Sequence, residues 1–155
     1  NLSRINAFGT IIIILDNIDS SGDVILGEEF NNNIILESNQ PWGLNKITDG
    51  NVTGGYWYPG NSSTYLTINL PEKMTIKGLK INSRQGNYLF RSVTISVKGA
   101  GGRYTVNGVF DKKQSNAEFY IKFKTPVTTR SIKLQDFRTQ RNGAQTDISE
   151  INLIK

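Results

Sequence analysis

The sequence predicts an all-β protein folded as a jelly-roll β-sandwich, and three observations carry that reading. Helical periodicity is nearly absent, period-two alternation recurs in short runs, and residues that turn the chain bound each run. Leu66, Ile68 and Leu70 alternate with Thr67 and Asn69. The pattern returns at Leu79 and Ile81, at Val93, Ile95 and Val97, and at Phe119, Ile121 and Phe123. It closes with Ile132 and Leu134, then Ile151 and Leu153. These runs are rich in β-branched and aromatic residues, which suit a half-buried pleated surface. Between them, Pro71-Glu72, Gly99-Ala100-Gly101-Gly102, Asn107-Gly108, Thr125-Pro126 and Asn142-Gly143 read as turns. Many short strands at this spacing imply two packed sheets.

The first 33 residues read differently. Segments 10–15 and 24–26 predict an N-terminal β-hairpin extension, turned by Asp-Ser-Ser-Gly at 19–22. The apolar run at 11–14 needs cover on both faces, from the main domain or from another chain. Asn31-Asn32-Asn33 marks a boundary, dividing the chain into an extension at 1–33 and a sandwich at 34–155.

Composition narrows the function. A chain of 155 residues holds one domain with a real core. Its longest apolar run, 11–15, is far short of the roughly 20 residues that span a bilayer as a helix. No basic segment followed by a small-residue cleavage site is visible. The chain starts at Asn1 without a methionine, so an upstream targeting signal is an open expectation. The absence of cysteine removes disulfides and thiolate sites; the absence of histidine removes the Ser-His-Asp triad and imidazole metal ligands. A glycosidase needs two carboxylates across a cleft, yet Glu28 and Glu29 are adjacent and would point to opposite faces of a strand. The glycine-rich 99–102 segment precedes a strand and not a helix, so it is no phosphate loop of the nucleotide-binding type. A non-catalytic domain is expected.

Charge is unevenly spread. Residues 1–40 hold one base and six acids, whereas 41–155 hold 17 bases and 7 acids. A basic body suits an anionic partner, such as acidic glycan or phosphate; a solvated surface is the plainer reading. No recognised motif supports nucleic acid.

The most specific stretch is Ile47-Thr48-Asp49-Gly50-Asn51-Val52-Thr53-Gly54-Gly55-Tyr56-Trp57, ahead of a strand at 64–70. Near the C-terminus stands Ile148-Ser149-Glu150-Ile151-Asn152-Leu153, an acid among apolar neighbours. With the strand pair at 76–83 and 91–98 between them, these segments resemble the discoidin, or coagulation factor five/eight type C, superfamily over about residues 34–155. That superfamily includes the family thirty-two carbohydrate-binding modules. Two departures stand out: Gly54-Gly55 lengthens the loop before Trp57, and Gly99-Ala100-Gly101-Gly102 replaces a common Asp-Gly turn.

The resemblance implies a discoidin-like jelly roll that binds glycan outside the cell, on a cell surface or on a virion. It also implies a structural calcium ion held by the side chains of Asp49, Thr53 and Glu150 and by backbone carbonyls around Lys46 and Asn51. Oxygen donors are what a hard cation demands. The other reading is a turn capped by Asp49 and a Glu150 paired with Lys46.

By the same resemblance, three loops gather at one end of the sandwich. They offer Tyr56 and Tyr58, then Arg84, Asn87 and Tyr88, then Phe137, Arg138 and Arg141. Aromatic faces stack on sugar rings, while Arg and Asn supply directional donors to hydroxyls. Both Trp57 and Trp42 read equally as core or contact, Tyr88 as cover for a sheet edge, and Arg91 as a structural ion pair. The alternative role is structural: a sandwich of a virion fibre, baseplate or adhesin that uses its N-terminal hairpin on a neighbouring subunit. A lipid-binding relative would expose apolar loop tips, for which Leu89-Phe90 beside Arg91 is the candidate.

Overall fold

Nine strands follow one another in the computed structural model, which describes residues 2–5, 11–17, 24–25, 34–60, 63–140 and 146–155. They are β1 (Leu2–Ile5), β2 (Ile11–Asn17), β3 (Val24–Ile25), β4 (Ile35–Ser38), β5 (Tyr65–Ser83), β6 (Phe90–Lys98), β7 (Tyr104–Asp111), β8 (Glu118–Thr139) and β9 (Ile148–Ile154).

Two of these strands are long, and they organise the sandwich. β5 runs 19 residues and β8 runs 22, straight through the segments expected as turns at Pro71-Glu72 and Thr125-Pro126. The ladder between them lapses instead of ending: it shifts register between Asn69 and Met74 and again between Ile76 and Gly78. Both prolines fall where the ladder is broken, so neither removes a donor that a partner strand needs. On one side of the break, β5 and β8 sit with β4, β6 and β7; on the other, with β9 and β2. The pair thus serves both sheets. Gly78 is required at the crossing, because a Cβ there would lie 2.0 Å from the Ile121 carbonyl oxygen.

Asn107-Gly108 is a bulge inside β7, not a turn: Ile95 faces Gly108 while Ser96 faces Val106. A Cβ on Gly108 would lie 2.6 Å from Leu15, so the bare backbone admits β2.

The N-terminal segment departs from the expected hairpin. β2 takes β1 as its antiparallel partner, then joins β7 through Ile14 and Leu15 and β8 through Asp16 and Asn17. Val24 and Ile25 pair with Ile154 and Leu153 of β9. The two segments expected to pair thus go to different edges, each bound by long-range partners; the 19–22 turn and the 31–33 boundary lie outside the described residues. For Ile13, the cover comes from the same chain. Ile13 packs against the core and Leu15 is fully buried, a gain of about 1.5–3 kcal/mol for one such side chain.

The alternating residues read from the sequence form that core. Leu66, Leu79, Ile81, Ile121, Ile132 and Leu134 are completely buried. An aromatic group fills one end: Phe110 stacks on Phe119, Phe90 packs on both, and Phe137 meets Phe90 and Trp57 edge-on. Leu89 and Phe90, considered above as lipid-binding tips, are buried here. No helix among the described residues is long and apolar enough to cross a membrane.

Candidate functional site

Trp57 organises the loop end. Its backbone makes an isolated two-way bridge to Ile148, at 2.8 and 3.0 Å, and its ring is fully buried. The indole N–H donates to the Gln40 carbonyl at 2.6 Å. Trp57 is therefore core, and pleat alternation sends its neighbours Tyr56 and Tyr58 the other way.

Tyr56 faces Arg84. The guanidinium carbon of Arg84 lies 5.5 Å from the Tyr56 ring centroid and 4.6 Å from that of Tyr88. The cation is held between two aromatic faces, an arrangement worth about 0.5–2 kcal/mol per pair. From below, Arg84 Nη1 donates to Asp147 Oδ2 at 3.2 Å, and its backbone N–H donates to the Asp147 carbonyl at 2.9 Å. The Asp147 side chain is wholly buried while that of Arg84 is 47% exposed, so the acid fixes the base from inside. Loops distant in sequence are stitched together around this pair. The Ser83 hydroxyl donates to Asp147 O and accepts from Phe90 N, and the Thr146 hydroxyl donates to Tyr88 O. Asn87 is exposed on the short 3₁₀ turn Gly86–Tyr88, which Gly86 enters at a φ of 82°.

Beside this cluster stands a second aromatic pair. Trp42, 64% exposed, stacks on Tyr58 with centroids 5.5 Å apart, and the Lys46 ammonium lies 5.2 Å from the Trp42 centroid. The Lys46 stem passes Gly55, where a Cβ would approach it to 3.0 Å. Trp42 escapes a pattern reading because its role depends on a stacking partner 16 residues away in an irregular loop.

The structure thus gathers Tyr56, Tyr58, Arg84, Asn87 and Tyr88 at one end. Phe137 is corrected to the core: it is 3% exposed and packs against Trp57, so its ring is not offered to a ligand. It alternates inward on β8, and the expectation took it for a loop residue. Arg138 is exposed on the outer side of β8, lining a cavity with Ser92, Thr94, Asp111 and Asp136. Arg141 lies outside the described residues. Arg91 makes its structural ion pair, with Asp111 at 2.8 Å.

The 49–54 turn meets the terminal strand. Gly50 N–H donates to Glu150 Oε2 at 3.1 Å, and the Ser149 hydroxyl donates to Val52 O at 2.7 Å. Glu150 is 1% exposed. Asp49 Oδ1 accepts from Asn51 N–H, and Asn51 Oδ1 accepts from the amides of Thr53 and Gly54. The Lys46 ammonium lies over the Trp42 ring. The donor set suits a hard cation in kind: carboxylates of Asp49 and Glu150, an Asn51 amide, a Thr53 hydroxyl and the carbonyls of the turn. Among the described residues no third acidic side chain joins them, so an ion here would rest on two carboxylates and neutral oxygens.

Comparison with known proteins agrees with the geometry. Residues 31–151 match the family described as F5/8 type C domain. A two-domain protein of unknown function from Bacteroides fragilis superimposes with a TM-score of 0.76 at 31% identity, over 92% of this chain and 48% of that one. The chain thus spans about half the length of that relative. A family 32 carbohydrate-binding module from Clostridium perfringens NanJ, solved with galactose, gives 0.68 at 18% identity, over 85% and 98% of the two chains. The family 32 module of AlyQ, solved with 4,5-unsaturated mannuronic acid, gives 0.64 at 20% identity, over 79% and 95%. No match was found among curated proteins.

Proposed function

The chain belongs to the F5/8 type C domain family, and from that premise we propose that it is a non-catalytic carbohydrate-binding domain acting outside the cell. Its site is the Tyr56–Arg84–Tyr88 cluster, with Asn87 on the rim and the Trp42–Tyr58 stack alongside. The observation that carries this is Arg84, an exposed guanidinium clamped between two rings and anchored on a buried carboxylate. Such a group has its rotamer set before a ligand arrives, so little freedom is lost on binding. Its remaining N–H donors face solvent as a fork for sugar oxygens, and the rings offer flat apolar faces.

The ligand class follows from the charges. The buried Asp147 offsets part of the Arg84 charge, and Lys46 adds another cation beside Trp42. We place acidic sugars, carrying a carboxylate or a phosphate, ahead of neutral ones; a forked Arg contact to an anion is stronger than a neutral hydrogen bond. The uronic acid on the AlyQ module and the galactose on the NanJ module bracket the two cases.

A glycan panel containing galactosides and uronic acids tests the reading, followed by calorimetry on the best ligand. Asn87→Ala is expected to weaken binding by roughly 0.5–1.5 kcal/mol, with an unchanged melting curve. Raising salt should weaken an acidic ligand more than a neutral one. A panel without a hit, or a ligand indifferent to Asn87, would refute the site.

Calcium is part of the proposal. Asp49, Asn51, Thr53 and Glu150, with carbonyls of the turn and of Lys46, would hold it. When bound it supplies positive charge that relieves the repulsion between two acids and pins the turn to β9. Chelation is expected to lower the melting temperature by several degrees, as for any ligand of the folded state alone. An unaltered curve, with no metal by elemental analysis, removes calcium and leaves the glycan site standing.

A further inference from the structure

The opposite end of the sandwich carries a second, differently built opening. A cavity of about 310 Å³ is lined by Lys73, Lys98, Arg130, Thr128, Thr129 and the glycine-rich turn after β6. β6 separates the two ends: its nine residues run from Phe90, under the loop cluster, to Lys98 at the cavity, about 26 Å at about 3.3 Å per residue.

Three features of this cavity point the same way. Its lining holds three cations and no acid. The ion pairs among the described residues use Lys80, Arg84, Arg91 and Lys112, and none uses Lys73, Lys98 or Arg130. The nearest acid in sequence, Glu72, is not part of the lining. Second, the rim is pre-shaped. Arg130 Nη2 donates to the Pro71 carbonyl at 2.8 Å, and the Thr129 hydroxyl donates to Lys98 O at 2.8 Å. Third, the 99–102 turn closes on itself through Gly99 N–H to Arg103 O and Gly102 N–H to Gly99 O. Gly102 has a φ of 80°, a left-handed position that closes the turn. Added side chains at Gly101 or Gly102 would meet nothing within 4 Å, so the backbone is open to an approaching group. The cavity lies beside the lapse in the β5–β8 ladder, where residues 70–73 of β5 and Arg130 of β8 have no partner in that ladder.

We propose that this cavity is an oxyanion site, distinct from the glycan site, which takes a sulfate or phosphate group carried on a sugar unit. The volume exceeds what a bare ion needs and falls at the lower bound of small-molecule pockets. The lysines supply point charges and Arg130 a planar donor, while the turn, whose Gly99 and Gly102 amides are used internally, supplies an open backbone surface. The excess positive charge of residues 41–155 then has a specific address, and a polymer held at one end can be read at the other.

The test follows backbone amides by NMR at low ionic strength, with heparin as the polymeric sulfate and inorganic phosphate as the free anion. Heparin is expected to shift Gly99, Ala100 and Gly102 saturably, and the Lys98→Gln/Arg130→Gln double variant to weaken this at least about tenfold. Lys73→Gln serves as a second variant, and thermal melts of each check that the fold is kept. Phosphate moving the same amides more weakly supports the polymer as the source; phosphate binding without heparin would make the free anion the ligand and overturn the sugar-borne assignment. Shifts confined to residues 84–88 would assign the anion to the glycan site, and shifts undiminished in both variants would show general attraction to the basic surface. Either result overturns the proposal, as would no shift at all.

Discussion

The two ends of the sandwich handle positive charge in opposite ways. At the loop end, Arg84 has a carboxylate beneath it: Asp147 is wholly buried, and its oxygen lies 3.2 Å from the guanidinium. At the far end, Lys73, Lys98 and Arg130 share a cavity with no carboxylate in its lining. The first arrangement spends charge to gain position, giving a fixed donor with a reduced field. The second keeps its field, with Arg130 held by the Pro71 carbonyl. A fixed donor suits sugar oxygens, a carboxylate among them, at set angles; an uncompensated field suits a sulfate or phosphate whatever its angle of approach.

The most disruptive way to break this contrast is Asp147→Asn. The substitution removes the buried charge that anchors Arg84 and leaves a polar group without its charged partner, so a loss of about 1–3 kcal/mol in urea unfolding is expected. Glycan binding should fall with it, because Arg84 is released from its place between the rings. Unchanged stability would mean that Asp147 does not organise the loop end. Arg84→Ala is less clean, since it would strand the buried carboxylate and confound binding with stability.

A smaller effect tests the aromatic side of the same end. Trp42 is exposed and stacks on Tyr58, so Trp42→Ala should leave the melting temperature nearly unaltered and weaken glycan binding by about 0.5–1.5 kcal/mol. Full affinity in titration calorimetry would confine the site to Tyr56, Arg84 and Tyr88.

The smallest effect lies away from both ends. The Lys112 ammonium, 2.8 Å from Asp16 Oδ1, ties β2 to the body and holds that carboxyl below its ordinary range. A carboxyl lowered in the folded state adds stability above its unfolded pKa and loses it as pH falls through the folded value. Both groups are more than a third exposed, so Lys112→Gln should cost about 0–1 kcal/mol near neutral pH, and less as acid is added. A larger loss, or one that grows towards low pH, would mean that Lys112 acts through something other than this pair.

Much of the fold was legible because burial follows the pleat. Leu66, Ile68, Leu79, Ile81, Ile132 and Leu134 alternate in the sequence and are all buried. Local grammar misled where long-range pairing overrode it. Pro71-Glu72 and Thr125-Pro126 look like ends of strands, yet each lies in a strand whose partner carries it through a lapse in the ladder. Asn107-Gly108 looks like a hairpin turn and is a bulge that makes room for Leu15. The expected 10–26 hairpin failed for a similar reason: two short apolar segments satisfy each other less well than the waiting edges of β7, β8 and β9 do.

The candidate site divides in the same way. Residue types at the loops were readable, and Tyr56, Arg84 and Tyr88 do converge. Phe137 was misplaced, because an aromatic near a strand end faces inward or outward according to register, which pairing decides. Asp147 was overlooked: nothing local in Asp147-Ile148 shows that its side chain ends up under Arg84, 63 residues away.

By itself, then, the sequence determined the fold class, the alternating core, the absence of thiol and imidazole chemistry, and the asymmetry of charge, since each depends on residue type and on neighbours one or two positions away. Only the tertiary structure decided which cations are neutralised and which stay free, which aromatics stack outside and which fill the core, and where a proline interrupts a ladder without ending a strand. Those outcomes depend on distances between residues far apart in the chain, and on the removal of some of them from water. At close range and in low dielectric, a single buried carboxylate changes what an arginine can do, and composition cannot show which carboxylate that is.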